Sequence, residues 1–373
     1  MKSIIGKYGW VLAIGCWLLA VGCSSDHTDE QRTGSRLLAI PYTSSYQSSD
    51  VLNRAPSVVT DNYVAYSFDH DFAISLLVWH AAATTSPTES LISYTNSTST
   101  WNSQAWVDGG EPYTIFGYMP KQNTVTASVA KGEGTVALTL SGVNAVTADD
   151  ICFVAGVKDN TDNNYLEGWQ GHFDYEGKPE SAAANIYNKV YLLMDHLYAA
   201  VNFQFTVDDE YSALRSIRLK SMTLSTPTAT VTAVVTLTPN TTGADPVSSV
   251  GYTVTQAEEG TISAPFFEST TGILLNNYPT TADSIAAKAT IGSSFCCFVP
   301  KTDVSNALTL VSTYDVYDSQ GNKIRKDCTA TNQLPHLSAN RGQRVTFNLK
   351  VTPTYLYQLS EPDLDNPTIK VED

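Results

Sequence analysis

Six histidines and 37 aspartate and glutamate side chains are the groups in this sequence best suited to acid–base chemistry or metal binding. They form no HExxH, no GxSxG and no glycine-rich phosphate loop. Glycosidase carboxylates come from distant positions and leave no local motif, so these missing signatures weigh only moderately against an enzyme. The stretch Asp159, Thr161, Asp162, Asn163, Asn164 and the tail residues Asp363, Asp365, Asn366 offer oxygen ligands of the kind calcium takes. Neither has EF-hand spacing, and Asx-rich turns produce the same composition. Trp101, Trp106, Trp169, Tyr165, Phe173 and Tyr175 supply aromatic faces either for stacking on a glycan or for interior packing. Beyond Cys16 and Cys23, the cysteines are Cys152, the adjacent Cys296 and Cys297, and Cys328, without zinc spacing. Adjacent residues of a strand face opposite ways, so one of Cys296 and Cys297 is expected inside and the other outside. The sequence admits a bridge to Cys328 or a buried strand FCCFV with small apolar thiols. No cofactor and no metal are expected from these patterns.

At the N-terminus Lys2 and Lys7 precede an uncharged stretch, Tyr8 to Gly22. It is short for a transmembrane helix, which needs about 20 apolar residues, and has the layout of a secretory signal. Leu19, Ala20, Val21, Gly22, Cys23 resembles a bacterial lipobox, with Ala20 where leucine is more usual, and Cys16 after Gly15 is a competing but poorly spaced candidate. Such signals imply lipidation of Cys23 and an outer-membrane location. The polar run Ser24 to Glu30 then reads as a tether.

The net charge of −15 becomes more acidic once Lys2 and Lys7 leave with residues 1–22. Nucleic acid is thereby excluded as a natural partner, because a phosphate backbone needs a basic track. Arg215, Arg218, Lys220 and Lys323, Arg325, Lys326 are the densest basic groups and read as solvated strand faces or turns.

The elements that must position all these groups are strands. Val201, Phe203, Phe205 and Val207 alternate with polar or small residues, as do Phe72 to Val78, Tyr113 to Gly117, Val136 to Leu140 and Val345 to Val351. His196 stands at the head of the clearest of these runs. Leu214–Leu224 and Ala229–Leu237 are expected as successive strands of a meander after an acidic turn at Asp208–Glu210. Glu180–Asn188 is the one fair helix candidate. The polar segment 158–189 separates two sets of strands. The chain therefore divides into a signal (1–22), a tether (23–34), an N-terminal β-sandwich domain (35–190) and a C-terminal one (191–373).

Several stretches together resemble the fimbrillin-type pilins and pilus-associated lipoproteins of Bacteroidales bacteria: the lipobox, RLLAI, NRAPS, YTIFGYMP, DDICFVAG, HLYAAVNFQF and PTYLYQLSEPDLDNPT. The resemblance spans most of the chain and rests on the order of these weak motifs. It implies an all-β fold of two transthyretin-like Greek-key sandwiches in tandem, exported as a lipoprotein precursor. It also implies that an arginine-specific protease cuts after Arg54, before Ala55, reached through an exposed loop SSYQSSDVLN, and releases residues 35–54 with a first strand containing Leu37, Leu38 and Ile40. Arg36 is a second candidate cut. The opened groove would accept a neighbouring subunit's strand, with 353–373 as donor and Tyr355, Tyr357 and Leu359 on one face. His196 matches the family's histidine and is expected to be structural. The implied partners are other pilin subunits, the protease and, through the lipid, the outer membrane. The implied role is a stalk or tip subunit supporting adhesion. The alternative is a monomeric surface lipoprotein that binds glycans or host ligands.

Overall fold

Where apolar and polar residues alternate along this chain, one face of a strand is buried and the other wetted, and strands account for most of the described backbone. A computed structural model describes residues 34–48, 64–158, 173–178, 188–239, 247–275, 289–290, 295–300, 307–334, 339–355 and 362–371. The described residues belong to one unit, Gly34–Asp373.

In chain order the strands begin with β1 (Ser35–Thr43), β2 (Gln47–Ser48), β3 (Val64–Ala65), β4 (Phe72–His80), β5 (Glu89–Thr95), β6 (Thr100–Ser103), β7 (Trp106–Val107) and β8 (Pro112–Met119). Next come β9 (Thr126–Lys131), β10 (Val136–Asn144), β11 (Val146–Thr147), β12 (Cys152–Lys158), β13 (Asp174–Glu176), β14 (Asn188–His196) and β15 (Ala199–Val207). After α1 (Asp209–Leu214) follow β16 (Arg215–Pro239), β17 (Val247–Leu274), β18 (Ala289–Thr290), β19 (Cys296–Phe298), β20 (Thr309–Asp318), β21 (Lys323–Gln333), β22 (Gln343–Tyr355) and β23 (Pro362–Val371).

Among the described residues these strands make three sheets, and the expected all-β class holds. The ten-stranded sheet runs β3-β1-β14-β12-β8-β4-β5-β6, with β13 on β8 and β7 on β1. The six-stranded sheet runs β21-β20-β16-β10-β9, with β17 on β16, and the seven-stranded sheet runs β11-β19-β15-β22-β2, with β18 on β15 and β23 on β22. β10 hydrogen-bonds to β16, so the six-stranded sheet draws on residues from both sides of position 190. Gly142 lies where the register of β10 shifts, at a φ of 78° and with Thr124 O so close that a Cβ would collide with it.

Four local expectations are corrected. The meander over 214–237 is one 25-residue strand, β16, which pairs with β17 along most of its length. Bulges near Ser221 and Thr228 let it bend around the Pro227 region without breaking, so two runs of alternation belong to one strand. The acidic turn is the helix α1: the Asp208 carboxylate accepts from the N–H groups of Glu210 and Tyr211, an N-cap followed by Asp209 and Glu210 in the first turn. His196 ends β14 rather than heading β15, because the chain leaves the strand at Leu197 and Tyr198. Cys296 and Cys297 are both buried, since β19 is covered on both faces, and all four described cysteines are free thiols. Most of the helix candidate, residues 180–187, lies outside the described residues, and Asn188 begins β14.

Candidate functional site

β1 carries the segment whose release the sequence resemblance implies. Ser35, Leu37, Ala39 and Pro41 face inward and are buried, while Arg36 points to solvent. β1 lies parallel to β14 over seven register pairs, from Leu37 opposite Asn188 to Thr43 opposite Met194. Among the described residues its other edge meets only short partners: β7 at Ser35 and Arg36, and β3 at Tyr42 and Thr43. Between them Leu37 N–H donates to Ala105 O (2.9 Å) and Ser103 Oγ donates to Leu37 O (2.6 Å). Gly34 passes so close to Val107 O that a Cβ there would collide with it. Pro41, which lacks an N–H, fits a strand with one sparsely paired edge.

The two ends of β14 hold the two ends of this segment. At the start of β14, the Asn188 side-chain amide donates to Ser35 Oγ at 2.7 Å, and its backbone N–H does so at 3.2 Å. Asn188 Oδ1 in turn accepts from Tyr175 Oη (2.8 Å) and the Lys178 N–H (2.6 Å). At the finish, Ser44 N–H donates to Met194 O (3.1 Å) and Ser44 Oγ to Asp195 Oδ1 (3.1 Å), while Ser44 O accepts from His196 Nε2 (2.7 Å). Tyr46 stacks on the His196 ring with centroids 3.8 Å apart, and its hydroxyl lies 3.5 Å from Cys297 Sγ. The Arg344 guanidinium sits over the Tyr46 ring. Just beyond, β2 pairs with Gln343 and Arg344 of β22, so one stretch of chain, 35–48, supplies strands to two sheets. The exposed loop expected from Ser44 onward is thereby corrected over its first five residues, which are bonded, stacked or paired, while 49–53 lie outside the described residues.

This finish is strongly charged for a buried place. Burial opposes ionisation of Asp195, but the Arg341 guanidinium bonded to it holds its carboxyl below the usual carboxylate range. Burial likewise opposes charge on His196, and the Asp150 carboxylate, 2.6 Å from Nδ1, outweighs it and raises the imidazole pKa. Burial lifts the Cys152 thiol well above its ordinary value, as it does Cys297.

At the other terminus, β22 runs parallel to β15 as far as Val351 and then continues past Pro353 to Tyr355, opposite Pro362 of β23. Among the described residues β23 pairs only with β22, as an edge strand carrying Pro362 and Pro367 would. Pro367 and Ile369 are buried, and their carbonyls accept from Tyr314 Oη (3.3 Å) and Asn332 Nδ2 (2.7 Å).

Of the residues singled out in the sequence, Cys23, Arg54, Ala55, Tyr357 and Leu359 lie outside the described residues, and Tyr355 ends β22. So do Asp159 to Asn164, Tyr165 and Trp169. Arg36 sits inside β1, paired with Trp106. The aromatics do not share a platform: Trp101 packs with Phe68, Phe72 and Tyr94, Trp106 Nε1 donates to Asp108, and Phe173 is stacked on Phe116 in the interior. Sequence reading missed Ser35, Asn188, Ser44 and Asp195, whose partners lie about 150 positions away. Only the polar residues at the edges of apolar runs hinted at them.

No protein-family model matches the chain, and no curated protein matches it in sequence. Among solved structures it aligns with a fimbrial protein of Bacteroides vulgatus at 12% identity, covering 81% of this chain and 91% of the other, with a TM-score of 0.35. A candidate cell adhesion protein of Bacteroides ovatus aligns at 12% identity over 92% and 97% of the two chains, with a TM-score of 0.36. The fimbrial anchor protein Mfa2 of Porphyromonas gingivalis aligns at 9% identity over 89% and 95%, with a TM-score of 0.24. With identities and TM-scores this low, the roles of individual residues have to come from the chain's own geometry.

Proposed function

We propose that this chain is a structural subunit of a cell-surface fimbria, at stalk or tip, that supports adhesion. It is exported as a precursor lipidated at Cys23, reaches the outer membrane, and is cut between Arg54 and Ala55 by an arginine-specific protease. The subunits then polymerise by donor-strand exchange, with 353–373 as donor. The observation that supports this most is that residues 35–48 complete two sheets at once and are followed in the chain by the segment that carries Arg54. Cutting there converts β1 and β2 from parts of the chain into a peptide held only by its contacts. Its departure uncovers the backbone edge of β14 and vacates the places of Leu37 and Ala39, both fully buried. An extended segment restores such an edge through main-chain hydrogen bonds, and its alternate side chains refill the pockets. Arg36 is the poorer cut, because its backbone is engaged in a strand.

Treating the purified precursor with an arginine-specific protease, then sizing and N-terminally sequencing the products, tests the reading. The expected result is a new N-terminus at Ala55 and a ladder of oligomers. A product that loses 1–54 and stays monomeric, or a chain that resists cutting there, overturns it. The alternative, a monomeric glycan binder, is not the reading proposed here: among the described residues Trp101, Trp106 and Phe173 are dispersed.

A further inference from the structure

Three metal-ligand side chains meet where β14 ends and β12 begins. Cys152 is directly opposite His196 in the antiparallel register of β12 and β14, and Asp150 lies two residues before Cys152. His196 Nδ1 is 2.6 Å from Asp150 Oδ2 and 3.5 Å from Cys152 Sγ, and that sulfur is 3.9 Å from the same carboxylate oxygen. His196 and Cys152 are buried.

The hydrogen-bond pattern fixes which atoms have lone pairs to give. Ser44 O can only accept, so His196 Nε2, 2.7 Å away, carries a hydrogen. In the neutral ring Nδ1 is then an acceptor, and it faces a carboxylate oxygen that is also an acceptor. Two acceptors at this distance need a positive centre between them, either a proton on Nδ1 or a metal ion. The thiol beside them favours an ion that accepts sulfur. The other oxygen, Asp150 Oδ1, is buried without a hydrogen-bond partner among the described residues, an uncompensated acceptor in the same pocket. Bonds of about 2.0–2.1 Å to nitrogen and oxygen and about 2.3 Å to sulfur place tetrahedral ligands roughly 3.3–3.6 Å apart. The two separations to sulfur are already close to this, and the Nδ1–Oδ2 pair has to open by less than about 1 Å. The support around the histidine is that of a metal ligand: its second nitrogen is tied to a backbone carbonyl, and Tyr46 stacked on the ring restrains its orientation.

We infer that Asp150, Cys152 and His196 form a binding site for a divalent cation of the zinc type. On binding, the thiol S–H proton and any proton on Nδ1 are released to solvent, and the ion takes their place between sulfur, nitrogen and carboxylate. Sequence inspection found no zinc spacing because the histidine is 44 positions from the cysteine. The register of two strands brings them together.

The test uses the full chain, reduced and anaerobic, titrated with Co2+ as a spectroscopic stand-in for Zn2+. The expected result is one equivalent bound, with a thiolate-to-cobalt charge-transfer band in the near ultraviolet that Zn2+ abolishes. Cys152→Ser removes that band, and Asp150→Asn weakens binding at least tenfold while the far-ultraviolet circular dichroism is unchanged. If Cys152→Ser does not fold, His196→Gln with the same readouts replaces it. The absence of a charge-transfer band in the parent chain, or a band that survives Cys152→Ser and disappears in Cys297→Ser, overturns the inference and leaves the proton as the centre between His196 and Asp150.

Discussion

The first and last strands of the described chain both lie near sheet edges, yet they are attached in different ways. β1 pairs in parallel with β14, about 150 residues away in sequence, whereas β23 folds back as the hairpin partner of β22. β1 brings Leu37 and Ala39 into the core and is pinned at both ends by buried polar groups. β23 shows Ile369 and Pro367 buried and leaves Lys370 exposed. Parallel pairing needs a long crossover and gains nothing from local closure, so β1 depends on side-chain fit to hold it. β23 is held by its pairing with β22 and by the Tyr314 and Asn332 side chains that donate to its carbonyls. If the chain is cut after Arg54 as proposed, β1 loses its covalent tie to the sheets while β23 keeps its own.

The largest expected effect that would break this contrast concerns Arg54. Arg54→Ala should leave β1 seated after protease treatment and reduce oligomer formation to background in size-exclusion chromatography. Oligomers formed by the uncut variant would show that β23 alone suffices. Next, Leu37→Ala should lower unfolding stability by about 2–5 kcal/mol in urea titrations. Ile369→Ala should act mainly on β23, speeding amide hydrogen exchange there with little change in β1. Equal losses of exchange protection in both strands from either variant would erase the distinction. Asn188→Ala strips partners from Tyr175 Oη, the Lys178 N–H and Ser35 Oγ, at a cost of about 1–3 kcal/mol for the polar groups left buried. Double-mutant cycles with Ser35→Ala should show coupling between the two.

The smallest effect is pH dependence in the sheet beneath β23. Burial works against the charge of Asp315, but Lys323 and the Asp327 N–H hold its pKa below the usual carboxylate value. A carboxyl depressed in the folded state binds more protons when unfolded. Its stabilisation is therefore complete above the unfolded pKa of about 3.9 and is lost as pH falls through the lower folded value. The urea midpoint should decline over that acid range, and Asp315→Asn should flatten the decline without altering protection of β1.

Strand existence was legible wherever burial is one-sided: Val201, Phe203, Phe205 and Val207 are buried while Asn202, Gln204 and Thr206 are partly exposed. β8 shows where alternation stops being informative, because every residue from Tyr113 to Met119 is buried in the middle of a wide sheet. The 25-residue β16 read as two strands because its bulges interrupt the period without ending the pairing. α1 had a sequence signal, Asp208 ahead of Asp209 and Glu210, that was read as a turn. Partner choice was not legible at all. Local periodicity says that Leu37 and Ala39 share a face, and nothing in it says that Asn188 and His196 wait at either end.

That arrangement makes β14 a caliper. Its first and last residues grip Ser35 and Ser44, and the rise of an extended chain, about 3.3 Å per residue, fixes how many residues fit between the jaws. Inserting one residue between Arg36 and Thr43 would move one serine out of its jaw and turn the intervening apolar side chains away from the core. The slot therefore measures length as well as hydrophobicity.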